Sequence, residues 1–261
     1  MALVRHILDT LESVAPSAFA LPGDKIGLQI GETEANVKRA LVSLDRSYGA
    51  VCRCQASHSQ LLLSHHPLIW QPLETVTDAS DVGVCVQELV RNRVNFIAAH
   101  TNWDCAPGGV NDALAEKLGL EDVTPFGSAS PAGMPIGRKG RLRQPLSVEK
   151  FQELLDRALG TRSMAWDGRP GKIEWVAVVG GAADDEWRAA SAADCHAFVT
   201  GEVKQHNAVE GSGWGINMYA AGHYATEQPG VEALAAVMRK AIPDVEWNVF
   251  EPMPGKSGRP L

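Results

Sequence analysis

No run in this 261-residue sequence stays apolar for the roughly 20 residues that a membrane-spanning helix requires. Positive charge is scarce as well: 24 Lys+Arg stand against 31 Asp+Glu, a formal net charge of -7. The broad basic face that general nucleic-acid binding calls for is therefore not expected, although a local basic pocket is compatible with the count. Cysteine is sparse and odd in number, five in all, which reads as reduced thiols in the cytoplasm and not as a disulfide framework. There is no Walker-type phosphate loop and no evident guanine-reading motif. The opening MALVRHILDTLESVAPSAF breaks its apolar pattern with Asp9 and Glu12, which suits an amphipathic helix and not a signal peptide. What remains, 45% hydrophobic and 21% charged residues, is the composition of a globular protein long enough for one large domain or two modest ones.

Apolar runs of strand length alternate with helical patterns. RALVSLDRS (39–47), QLLLSHH (60–66) and VNFIAAH (94–100) each end abruptly in polar residues. Between the last two, DVGVCVQELVRNR places Val82, Val86, Leu89 and Val90 on one helical face. GGVNDALAEKLGL then repeats Val110, Leu114 and Leu118 at i, i+4, i+8, with Gly119 as a helix stop. IEWVAVVGG (173–181), DCHAFVTGE (194–202) and INMYAAGH (216–223) repeat the rhythm, with EWRAASAA and GVEALAAVMRKA as helices. Such alternation predicts α/β architecture with mixed, largely parallel sheets in two lobes, residues 1–125 and 126–261. The Gly/Pro/Ser-rich stretch 126–147 is expected to connect them, SVEKFQELLDRALG to form a helix, and 251–261 to be a loose tail.

Binding sites in open α/β sheets form at the carboxyl ends of strands. Good metal ligands gather at those positions: His65 and His66, His100 and Asp104, Glu202, His223 and Glu227. Each has an ordinary reading alone, since a strand-end histidine hydrogen-bonds, Asp104 in TNWDCAPGG caps a turn and Glu227 borders a helix start. As a set they favour a metal site. Adjacent side chains on extended backbone face opposite ways, so His65 and His66 share one purpose only if something bridges them. His223 and Glu227 stand four apart, which one helical turn would align, but Pro229 leaves open a turn just before the helix. The three histidines His65, His66 and His223 with the carboxylates of Asp104 and Glu227 exceed the three protein ligands of a catalytic zinc. The count favours two divalent cations, zinc, manganese, iron or similar. Cys52, Cys54 and His58 in CRCQASH have no second cysteine pair to complete a zinc site.

Neighbouring residues have more than one reading. His100 is placed to orient a ligand, to shuttle a proton or simply to hydrogen-bond at a strand end, and Glu202 and His206 in TGEVKQH are candidates for general acid/base work or substrate contact. Asp45 and Arg46 crown another strand. Trp70 and Trp103 flank the ligand segments, as packing or as a stacking surface for a planar substrate.

The segments DKIGLQIG, LLLSHHPLIW, AAHTNWDCAPGGVNDALAEKLGL, FVTGEVKQHNA and AAGHYATEQPGVEAL, in this order over residues 24 to about 235, resemble the YbgI-like family. Its members are also called NIF-three-like proteins or type 2 GTP cyclohydrolase I homologues. The resemblance implies a dinuclear centre between two α/β lobes with His65, His66, Asp104, His223 and Glu227 as ligands, and a homohexameric ring. Lys25 stands where the family often has asparagine or a similar polar residue. The expected function is metal-dependent hydrolysis in the cytoplasm, of a nucleotide or phosphoester, with a GTP-like substrate implied only by the family name. A non-enzymatic metal-binding adaptor, or a metal storage or insertion protein, is the alternative. The expected partners are further copies of the chain and a small molecule, with neither membrane nor nucleic acid.

Overall fold

Strands in the first part of the chain are short because their apolar runs are short. The computed structural model describes residues 1–252, so the expected tail from 253 onward lies outside the described residues. In chain order the elements begin with β1 (Ala2–Leu3), α1 (Val4–Val14), β2 (Gly27–Ile30), β3 (Asn36–Val37), β4 (Arg39–Ser43) and α2 (Tyr48–Ala56). Then come β5 (Leu61–Ser64), α3 (Asp81–Arg91), β6 (Asn95–Ala98), α4 (Thr101–Cys105) and α5 (Val110–Lys117). A long hairpin, β7 (Leu120–Ala129) and β8 (Pro135–Leu146), leads to α6 (Val148–Leu159), β9 (Met164–Trp166) and β10 (Ile173–Val178). The chain closes with α7 (Trp187–Ala192), β11 (Ala197–Thr200), α8 (Gln205–Gly213), β12 (Asn217–Ala220), α9 (His223–Ala241) and β13 (Glu246–Val249).

Two compact units result, Met1–Trp103 with the chain from Val231 onward, and Asp104–Gly230. The first holds a five-stranded sheet in the order β13-β4-β5-β6-β2, parallel except for β2. Both faces of its central strands are buried, as continuous apolar runs demand: Leu61, Leu62 and Leu63 are fully covered. Leu41, Val51, Leu62, Leu89 and Phe96 share one core. Helix α3 starts where Ser80 accepts a hydrogen bond from the Gly83 amide at 3.0 Å. The second unit holds a six-stranded sheet, β7-β8-β10-β11-β12-β9, whose middle three strands are parallel. Phe151 and Leu155 of α6 pack on Val176, Val199 and Tyr219 there, and α6 ends at Gly160 in the left-handed region, φ 62°.

Three features differ from the sequence-based expectation. Residues 126–147 are largely paired strand and not a connection, because β7 and β8 satisfy each other's backbone groups despite Pro125 and the glycines. The units are not contiguous halves: β13 returns to lie parallel to β4. The last helix starts at His223 and carries Pro229 inside it, tolerated although a proline there lacks the amide proton for the helical ladder.

Candidate metal centre

In the first unit, strand register delivers the site residues. Ser43, Ser64 and Ala98 are neighbours across β4, β5 and β6. The ladder runs on past the strands, with His65 N to Ser43 O, His66 N to Leu44 O and Ala99 N to Ser64 O, each 2.9 Å. Asp45, His65, His66 and His100 therefore leave the sheet at one level. One nitrogen from each of His65, His66 and His100 lies within 4.8 Å of the others, with ring centroids 5.1 to 5.7 Å apart.

The second unit repeats the arrangement. Thr200 and Ala220 pair across β11 and β12, and the ladder continues through Gly201 N and Glu202 N to Gly181 O and Gly222 N to Gly201 O. Glu202 and His223 emerge side by side. His223 Nδ1 lies 2.7 Å from Glu202 Oε1 and its Nε2 lies 3.0 Å from Glu227 Oε2, one helical turn on. The open choice between turn and helix for this pair is decided in favour of helix. Asp104, in α4, is buried, and its backbone carbonyl accepts from Asn111 Nδ2 at 3.3 Å.

The tautomers bear on whether these residues suit a cation. Each of the four histidines places Nδ1 against an oxygen: His65 against Ala99 O at 2.9 Å, His66 against Asp45 at 2.9 Å, His100 against Asp24 at 2.8 Å and His223 against Glu202. Carbonyl and carboxylate oxygens accept, so Nδ1 carries a proton in each ring and Nε2 is the nitrogen that a cation would take. That is how metal-binding imidazoles are oriented in general, by an oxygen behind the ring. Imidazoles oriented in this way, with the buried carboxylates of Asp104 and Glu227, fit divalent cations of the zinc, manganese or iron kind.

Asp24 was not among the residues singled out from sequence. It sits in LPGDKIG, a stretch with the look of a turn, and its role depends on His100, 76 positions away. Its other oxygen accepts from Thr101 N at 3.0 Å and from the Thr101 hydroxyl. Burial pushes the Asp24 carboxyl up, but the hydrogen bond and positive charge of His100, with the Thr101 and Lys25 donors, outweigh it and hold the group at about 2. His206, by contrast, is exposed on α8 and joins none of the clusters found among the described residues. Trp103 is buried whereas Trp70 is 46% exposed, its ring perpendicular to that of His100 with centroids 5.8 Å apart. Cys54 is wholly buried in the core of the first unit, where loss of water pushes its thiol up to about 12.

A family model described as Duf34/NIF3 (NGG1p interacting factor 3) matches residues 2–253. A Clostridium perfringens protein named GTP cyclohydrolase 1 type 2 homolog is 29% identical over 253 residues, 94% of this chain and 95% of the relative. Its namesake from Streptomyces coelicolor is 30% identical over 258 residues, 95% and 90% of the two chains. The crystal structure of a Bacillus cereus protein related to NIF3 superposes with a TM-score of 0.90 over 98% of both chains at 20% identity, a likeness of fold.

Proposed function

This chain belongs to the Duf34/NIF3 family, and on that premise we propose that it is a divalent-metal-dependent hydrolase of a nucleotide or phosphoester. His65, His66, Asp104, His223 and Glu227 hold two cations in this reading, zinc, manganese, iron or similar. The observation that supports it is the common orientation of His65, His66 and His223, each with Nδ1 anchored on an oxygen so that Nε2 is the nitrogen turned to a cation. The name shared by the curated relatives supports a nucleotide-like substrate.

When bound, two cations supply Lewis acidity and bring the pKa of water from ~15.7 to about 7. The protein's own part is orientation and proton handling. Asp24, Asp45 and Glu202 hold the Nδ1 protons of His100, His66 and His223 and keep those rings from turning. The Glu202 side chain is 62% exposed and that of Asp45 52%, whereas that of Asp24 is 3% exposed, so Glu202 and Asp45 are open to proton exchange with solvent and Asp24 is not. His100 serves as a support in this reading, and Glu202 as an acid/base group.

A screen of metal-reconstituted protein against nucleotides and phosphoesters, with His65→Ala as control, tests the reading. Turnover that requires metal and is lost in His65→Ala supports it. Tightly held metal with no turnover on any member of either class would replace it with the adaptor or metal-storage reading.

We also propose a cytoplasmic homohexamer. Trp214, 77% exposed, and Met164, 62% exposed, offer apolar surface for self-association. Among the described residues no helix is long and apolar enough to cross a membrane. Light scattering on the eluted protein checks the assembly, and a monomeric mass would overturn it.

A further inference from the structure

The loop that leaves the paired histidines is fastened to the chain by a single side chain. Gln29 accepts hydrogen bonds at Oε1 from Leu68 N (2.8 Å) and Ile69 N (2.9 Å). Its Nε2 donates to Ile69 O (3.0 Å) and Lys25 O (3.1 Å). Four backbone groups are satisfied by one carboxamide, so the segments 25–29 and 67–70 are held in fixed relation. They border a cleft of 340 Å³ lined by Asp24, Lys25, Ile26, Gln29 and Ile69.

Three features of this cleft define what would occupy it. Its volume is that of a small-molecule site. Trp70, next to Ile69, keeps nearly half its surface in solvent although its ring lies perpendicular to that of His100, whose Nδ1 is in turn held by Asp24 of the cleft wall. An indole this exposed offers a stacking surface, since every nucleobase presents a π-face. Lys25 is exposed and its ammonium makes no ion pair among the described residues. A cation without a partner at the mouth of a cleft favours an anionic ligand.

We propose that the cleft at Lys25 and Ile69, together with the exposed Trp70 that follows Ile69, is the substrate-recognition subsite, and that it takes a planar heteroaromatic ring bearing a phosphate or comparable anionic group. The ring stacks on Trp70, the anion meets Lys25, and Gln29 acts as the positioning residue that keeps the two in register. This rests on the hydrolase reading, because it assigns the substrate class of the same His65, His66 and His100 neighbourhood.

Calorimetric titration of the full chain as purified, with GMP, guanosine and inorganic phosphate as probes, tests the subsite. GMP should bind about tenfold more tightly than either guanosine or phosphate. Trp70→Leu should weaken GMP and guanosine alike by about tenfold, whereas Lys25→Gln should weaken GMP by about tenfold and leave guanosine unchanged. Both side chains are exposed, so melting temperatures should not move. GMP binding no tighter than phosphate, or binding indifferent to both substitutions, overturns the proposal. Turnover and metal content measured on the same preparations separate the two readings. GMP binding that needs Trp70 and Lys25 in a protein without hydrolytic activity would sink the hydrolase and keep the subsite; turnover unaffected by either substitution would do the reverse.

Discussion

A Cβ on Gly181 would stand 2.1 Å from Oε1 of Glu227 and 3.2 Å from Nε2 of His223. Gly181 also sits in the left-handed region, φ +70°. It cannot retreat, because its amide donates to Thr226 Oγ1 at 3.1 Å and its carbonyl accepts from the amides of Gly201 and Glu202. The bare backbone at this position makes room for the Glu227 carboxylate beside His223.

Gly181→Ala should therefore lose metal as well as stability. Gly160→Ala is the control, since Gly160 has φ +62° but nothing within 4 Å of a built Cβ. Both variants should lose about 1 kcal/mol from the left-handed backbone. Only Gly181→Ala should weaken metal binding, by about tenfold or more. Equal metal affinity in the two variants, measured by competition with a chelator, would remove Gly181 from the site.

Wild-type protein purified without chelators should carry about two equivalents of divalent metal. Glu227→Gln keeps the size of the side chain but loses the charge that holds two cations close. It should lower metal content and turnover together while the melting temperature changes little, because the apolar runs and not the strand ends supply the core. Added metal should restore only part of the activity. A variant that loses metal but keeps full turnover would mean that the metals are structural.

The cysteines of α2 should be bystanders. Cys52→Ser with Cys54→Ala should leave metal content unchanged. In native protein a thiol alkylating reagent should modify the partly exposed Cys52 before Cys54, which is fully buried with its thiol raised to about 12. Peptide mass mapping over time reads the order, and early labelling of Cys54 would contradict the burial.

Asp184 should give a pH-dependent contribution to stability. Burial raises its carboxyl, but Asn207 Nδ2 at 2.8 Å, Lys204 N at 2.7 Å and the Lys204 ammonium hold it below its ordinary value of 3.8. A group depressed in the folded state stabilises above its unfolded pKa and loses that contribution as pH falls through the folded one. Asp184→Asn should thus be less stable than wild type at about pH 6, with the difference shrinking at about pH 3. Urea denaturation at both values checks it, and a difference that grows on acidification would reverse the sign.

Some features were legible in the linear chain because they depend on neighbours within one element. The alternation of apolar runs and helical patterns marked β4, β5, β6 and the middle strands of the second sheet, and Gly119, φ +67°, does follow the end of α5. Local pattern was weaker where partners are distant. Helix α2, which contains Cys52 and Cys54, has no clean apolar stripe, and the β7–β8 hairpin is held by pairing that overrides its prolines and glycines.

By itself the sequence determined which donors stand at strand ends, because a strand must stop where its apolar run meets histidine, aspartate or glycine. It also determined that no excess of positive charge and no long apolar run exist. Only the tertiary structure decided what each donor faces. The oxygens behind His65, His66 and His100 come from positions 34, 21 and 76 residues away, the first two chosen by parallel register between β4, β5 and β6 and the third by the segment that leads into the antiparallel β2. The Nδ1 partner of His223 lies 21 residues away, on the neighbouring strand end. Residue type and spacing can specify a lone pair, but the direction of an imidazole is set by a hydrogen bond across the sheet, and that bond exists only once the strands have paired.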